Sequence, residues 1–118
     1  TRAFPRTARL LKPEEFDATF QLGRRERGRF FMAVVRPNGL DGARIGFAVG
    51  KKHLPAAHDR NLVKRIGREA FRAAREHLPA IDIVVAPGRE VSRGDRISLR
   101  GDLDALLLRL QTAAAAAK

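Results

Sequence analysis

The sequence predicts one mixed α/β domain, because the chain is the length of a single core and interleaves helix-period segments with strand-like runs. Its 118 residues, 44% of them hydrophobic, suffice for one core and leave little for a second. Apolar residues spaced for one helical face alternate with runs of β-branched and aromatic residues bounded by Pro, Gly, Asn and Asp. No internal repeat breaks that order.

The first element is a short helix in KPEEFDATFQLG. Pro13 suits a first helical turn, Glu14 and Glu15 face its positive end, and Gly23 stops it. Phe16 and Phe20 stand at i and i+4 and so share one face. The basic RRERG that follows reads as a linker. RFFMAVVR and ARIGFAVG, separated by the turn-rich PNGLDG, read as a β-hairpin. In the second run Ile45, Phe47 and Val49 alternate with Gly46, Ala48 and Gly50, so one face is bulky and the other nearly bare. KKHLPAA then leads into a long basic helix, and IDIVVA after Pro79 reads as a buried strand. PGREVSRGDR is a charged loop, and Asp102 is placed to cap a last helix in LDALLLRLQ. The domain is expected to span residues 1–118 with an ordered core over about 9–111, the terminal alanines and Lys118 fraying.

A net charge of +11 and a pI near 11.6 oppose compaction through self-repulsion, which points to a polyanionic partner. Nucleic acid leads, with an anionic membrane surface as competitor. No apolar run approaches the ~18 residues of a membrane-spanning helix, and the N-terminus shows no secretory pattern. A cytoplasmic location and no membrane partner are therefore expected. The absence of Cys excludes disulfides, thiol nucleophiles and Cys-ligated zinc. Trp and Tyr are also absent, leaving Phe and the planes of Arg for any base stacking.

The charge is concentrated in HDRNLVKRIGREAFRAARE, residues 58–76. On a helical wheel with Arg60 at zero, Arg60, Lys64, Arg75, Arg68, Arg72 and Arg65 fall within roughly 140 degrees. Asn61 lies in the same arc. Leu62, Ala73, Ile66, Ala70, Val63 and Ala74 occupy roughly 200 to 320 degrees, the expected core stripe. Glu69 and Glu76 stand at the boundaries and Asp59 at the N-terminal end, where a capping carboxylate belongs. A solvated helix face is the plain reading. Segregation of the cations without an acid among them favours a phosphate-binding face.

These residues also carry a resemblance. RIGFAVGKK followed by RNLVKRIGREAFR, with RLLKPEEFDATFQLG before and LPAIDIVVA after, resembles the protein component of bacterial ribonuclease P over roughly Arg9 to Ala86. Arg60, Asn61, Lys64 and Arg65 match the family's Arg-Asn-Arg and Lys-Arg signature, with Leu62 standing in place of the third arginine. The resemblance implies a two-layer α/β sandwich ordered αβββαβα, like the second domain of ribosomal protein S5, with a left-handed βαβ crossover against the usual preference. The additional first strand would come from the basic stretch near Arg24 to Arg27. It further implies an accessory subunit of a ribozyme: a ribonuclease P RNA, one per protein, removes the 5′ leader of precursor tRNA with Mg2+, while the protein binds that RNA and the leader.

Two surfaces follow from the residues and the resemblance together. Arg60, Asn61, Lys64, Arg65, Arg68 and Arg72 should meet phosphates of the RNA subunit, arginine being favoured for its bidentate geometry. The leader should lie in a cleft on the bare sheet face at Gly46, Ala48 and Gly50, with Phe16, Phe20 and Phe31 as apolar or stacking contacts and Lys51 and Lys52 at its mouth. Arg24, Arg25, Arg27, Arg89, Arg93 and Arg96 could add contacts. No catalytic residue is assigned, since the sequence offers little by way of a metal cluster or an acid-base pair. His53 and His58 flank a loop, His77 sits near a helix end, and Asp102 with Asp104 reads as capping ahead of a metal pair. No protein-bound cofactor is expected, and any metal site on the chain stays open. A ribosomal or general RNA-binding protein, a stand-alone nuclease and a duplex DNA reader remain as alternatives.

Overall fold

IDIVVA is apolar at nearly every position, and in the computed structural model it becomes a central strand of the sheet. The structure describes Arg9 and residues 12–117. The expectation of flexible ends concerns in part residues outside that set, Lys118 among them. The elements are α1 (Pro13–Leu22), β1 (Arg24–Arg27), β2 (Phe31–Pro37), β3 (Arg44–Phe47), α2 (Ala57–Ala74), β4 (Ile81–Pro87) and α3 (Arg96–Ala117), with single 3-10 turns at Arg75–His77 and Val91–Arg93. The order is αβββαβα. The helical backbone of α3 runs on through the terminal alanines to Ala117.

The strand order β1-β2-β4-β3 corrects the hairpin reading of the middle two runs. β4 inserts between them, antiparallel to β2 and parallel to β3. A strand buried on both faces stabilises most at the centre, where β2 and β3 cover its two edges. The antiparallel partner of β2 on its other side is β1, formed by the basic stretch that reads locally as a linker. Its exposed Arg24, Arg25 and Arg27 fit an edge, where charge opposes pairing with another chain.

Alternation along the strands separates two faces. Phe31, Ala33, Val35, Ile45, Ile83 and Val85 form one core cluster with Val63, Ile66, Ala70 and Phe71 of α2 and Leu99, Leu103, Leu106, Leu107 and Leu110 of α3. Val34 and Val84 face the other way, toward α1. There Gly23 stops α1 as expected, its N–H donating to the Thr19 carbonyl at 2.9 Å. A Cβ at Gly23 would sit 2.8 Å from Val34 Cγ1 and 2.7 Å from the Val35 carbonyl, so the close approach requires glycine.

Two capping expectations are corrected. Asp59 lies inside the first turn of α2 beside His58, and Ala56 holds the N-cap position without a side-chain bond. The last helix begins at Arg96 and is capped by Asp95, whose Oδ1 accepts from Ser98 N at 2.7 Å. That bond, chiefly, holds the Asp95 carboxyl below its ordinary range. Asp102 lies within the helix and clasps the β1–β2 turn instead. Its carboxylate accepts backbone N–H bonds from Arg29 at 2.9 Å, Phe30 at 2.9 Å and Phe31 at 3.1 Å. Gly28 permits that approach, since a Cβ there would stand 2.5 Å from Asp102 Oδ1.

Two substitutions test this packing. Asp102→Ala leaves the turn amides without their acceptor, and urea denaturation should show a loss of about 2–3 kcal/mol. Thr19 is 1% exposed and its hydroxyl has no hydrogen-bond partner among the described residues. Thr19→Val should therefore raise stability by up to about 1 kcal/mol in the same assay.

Candidate nucleic-acid interface

α2 is amphipathic, as its sequence demands, but it is rotated relative to the wheel drawn from sequence. Val63, Ile66, Gly67, Ala70 and Phe71 are its buried residues. Ala73, assigned to the core stripe, is exposed, while Leu62 and Ala74 pack partly buried against the core. The difference comes from Phe71, fully buried although it falls inside the basic arc. A phenylalanine in the core draws its own side of the helix inward, and Arg60, Lys64 and Arg75 flank it half-buried.

That rotation sorts the cations. Arg60 Nη1 donates to the carbonyls of Leu54 at 2.8 Å and Pro55 at 2.6 Å, tying the preceding loop to the helix. Arg75 Nε donates to the Ala43 carbonyl at 3.2 Å. Lys64, Arg65 and Arg68 form no ion pair or side-chain hydrogen bond among the described residues. Arg65, Arg72 and Asn61 are exposed, and Arg68 and Lys64 partly so. Glu69 leans away from this face, 3.8 Å from Arg100 of α3. The structure thus brings Asn61, Lys64, Arg65, Arg68 and Arg72 onto one outward surface, with Arg60 at its inner margin.

The second expected surface is only partly assembled. Phe16 and Phe20 are half-exposed on α1. Phe31 does not join them: it is 2% exposed and belongs to the core on the opposite face of the sheet, its place in the alternation with Ala33 and Val35. Gly46 is buried, so the bare face is closed there. Ala48 is half-exposed, and Gly50, Lys51 and Lys52 are exposed beyond the end of β3.

A feature not read from sequence lies beside it. Arg25 and Arg27 pair across from Val34 and Met32 and so share the α1 face. The Arg25 guanidinium lies 5.4 Å from the Phe20 ring centroid. Arg25 and Arg27 open into a hollow of about 590 Å3 that also gathers Arg29, Phe31, His53, Arg89 and Glu90. The cations come from β1, the β1–β2 turn and the loops after β3 and β4. Sequence separation hid the cluster; the signal that could have revealed it is that three strands end on one rim. Arg93, in the 3-10 turn before α3, and Arg96, its first residue, are exposed.

Several acids and two of the histidines, His58 and His77, have partners on the protein. Asp104 pairs with Arg100 at 3.0 Å and Asp102 with the turn amides, so the two carboxylates are turned to different partners. His58 lies 3.1 Å from Asp59 and His77 3.4 Å from Glu76. Among the described residues, no group of three or more His, Asp or Glu side chains is placed to hold a metal ion.

Comparison with known proteins gives a consistent likeness. The family model described as Ribonuclease P matches residues 4–111. The ribonuclease P protein component of Azoarcus sp. is 47% identical over 102 residues, covering 86% of this chain and 85% of the relative. That of Chromobacterium violaceum is 41% identical over 107 residues, covering 91% and 88%. Among solved structures, the RNase P protein from Thermotoga maritima superposes with a TM-score of 0.74 at 35% identity, covering 86% of this chain and 96% of that one. The Staphylococcus aureus RNase P protein gives 0.79 at 27% identity, covering 86% and 94%.

The sorting of α2 cations predicts opposite behaviour for two neighbours. Arg60→Ala removes the donor to two carbonyls, and chemical denaturation should show a loss of about 1–2 kcal/mol. Arg65→Ala should change stability by less than about 0.5 kcal/mol yet weaken RNA binding measured by filter retention at fixed salt.

Proposed function

The chain belongs to the ribonuclease P protein family, and from that premise we propose that α2 grips the RNA subunit while the α1 face receives the 5′ leader of precursor tRNA. The protein is a subunit of ribonuclease P, a tRNA-processing nuclease complex, and it works with an RNA subunit and a tRNA substrate. The observation that carries the proposed division of surfaces is the outward row of Lys64, Arg65 and Arg68, which have no acid partner among the described residues. Unpaired cations at helical spacing meet a phosphate chain without first breaking intramolecular bonds. Asn61 and Arg72 extend the row, and Arg60 shapes its margin.

For the leader, Phe16 and Phe20 would offer ring faces to unpaired bases, and the exposed Lys51 and Lys52 after β3 would supply charge for its phosphates. The hollow at Arg25, Arg27, Arg29 and Arg89 continues that path with charge for its phosphates. Ala48 and Gly50 lie just beyond β3 and Gly46 is buried, contributing through packing; Phe31 belongs to the core and borders the hollow.

The cleavage chemistry belongs to the RNA subunit in this reading. Asp82 and Asp104 are each paired to an arginine and Asp102 to backbone amides, so these carboxylates are committed to the fold. Mg2+ would be held by RNA phosphates, activating the attacking water. One protein per RNA and a cytoplasmic location complete the proposal. No described helix is long and apolar enough to cross a membrane.

Reconstitution tests the reading. Adding the protein to a bacterial ribonuclease P RNA at low Mg2+ should raise cleavage of precursor tRNA, with binding favouring precursor over mature tRNA. Cleavage by the protein alone would indicate a nuclease, and equal binding of both tRNAs a general RNA-binding protein. With about four phosphate contacts on α2, log affinity for the RNA subunit should fall with log salt at a slope of roughly −3 to −4.

A further inference from the structure

α1 is a helix of ten residues, too short to be stable alone, and its hold on the sheet is thin. Thr19 is its one buried residue, Phe16 and Phe20 are half-exposed, and Leu22 is 72% exposed. Its strongest directional tie is ionic. Arg44 of β3 donates Nε to Asp82 Oδ1 at 2.8 Å and Nη2 to Asp82 Oδ2 at 2.7 Å, a bidentate pair across β3 and β4. The same guanidinium reaches Glu15 of α1, with Nη1 to Oε1 at 3.3 Å and Nη2 to Oε2 at 3.1 Å.

The network is enclosed and rigid. The side chains of Arg44 and Asp82 are 14% and 8% exposed and that of Glu15 33%. Asn38 fixes Asp82 further, donating Nδ2 to its Oδ1 at 3.0 Å and to the Gly42 carbonyl at 3.1 Å. The hydrogen bond to Asp82 outweighs the opposing effect of burial and holds Arg44 above its ordinary range, so it stays cationic. A planar fork with both carboxylates in its grip fixes angle as well as distance.

Phe16 follows Glu15 directly, and the segment that follows β3 carries Ala48, Gly50, Lys51 and Lys52. One guanidinium thus sets the spacing between the two walls proposed to receive the leader. We infer that Arg44, through Glu15, is a positioning residue that fixes α1 relative to β3 and thereby sets the width of the leader-binding cleft. The inference rests on the leader reading above.

Charge gives the test its sign. Glu15 is an acid on the helix that would border an anionic leader, so if it acted by charge alone its removal would strengthen leader binding. If it acts by position, removal weakens binding. The measurement is the ratio of affinities for precursor and mature tRNA, with protein assembled on a bacterial ribonuclease P RNA at fixed salt. Glu15→Ala should lower the ratio by roughly three- to tenfold, the scale of a charge-assisted contact transmitted in part. Glu15→Gln, which keeps an acceptor for Arg44 but loses the charge, should recover part of the loss. Affinity for the RNA subunit should be unchanged in both. A ratio that rises or stays constant in Glu15→Ala, with precursor preference intact in the unaltered protein, would overturn the inference alone. Equal affinity for both tRNAs in the unaltered protein would overturn the leader reading and this inference with it.

Discussion

The close approach of α2 to the edge of the sheet at Gly67 governs the rest of the molecule. A Cβ at Gly67 would stand 2.8 Å from Cζ of Phe47, whose ring already packs against the core. Only a helix without a side chain at that position can lie so near β3, and its nearness decides how the helix is turned about its axis. With Gly67 and Phe71 facing inward, the arc around Arg65, Arg68 and Arg72 faces outward. The helix is therefore functional through its rotation as much as its composition.

The same division between fold and function runs through the other charges. Cations next to the core are used up in place: Arg60 and Arg75 on loop carbonyls, Arg44 between two carboxylates. Most acids are similarly committed, so the net charge of +11 is carried chiefly by side chains that face solvent. Asp102 shows why this matters for architecture. By clasping the backbone of the β1–β2 turn from α3, it holds an edge strand made wholly of charged residues, which has little apolar area of its own. Arg25, Arg27 and Arg29 are thereby fixed on one rim with Arg89 and His53.

Local pattern in the sequence was enough to locate α1, with its proline start and glycine stop, and the apolar runs that become β2, β3 and β4. It failed where the deciding contacts are distant in sequence. RRERG has no strand pattern and pairs only because Met32 to Val35 offer it an edge. The pairing of β2 and β3 through β4 is a non-local choice that turn residues between them cannot reveal, and here the family resemblance, which implied the additional strand, supplied more than periodicity did. On α2 the wheel placed most of the core stripe correctly; Phe71 looks like core by residue type, but its ideal angle falls among the cations, because such angles carry no information about which large ring finds a pocket. Asp102 looked like a cap because capping is the local role of an acid near a helix start, whereas its partners lie more than seventy residues away.

The rotation of α2 can be read directly, since the chain contains no cysteine and single cysteines can be introduced cleanly. Asn61→Cys lies on the proposed RNA face and Ala73→Cys on the exposed opposite flank. In the presence of saturating ribonuclease P RNA, alkylation at position 61 should slow markedly while position 73 reacts as it does in the free protein. Protection at 73 with 61 left reactive, or equal protection of the two, would contradict the assignment of this helix face to RNA.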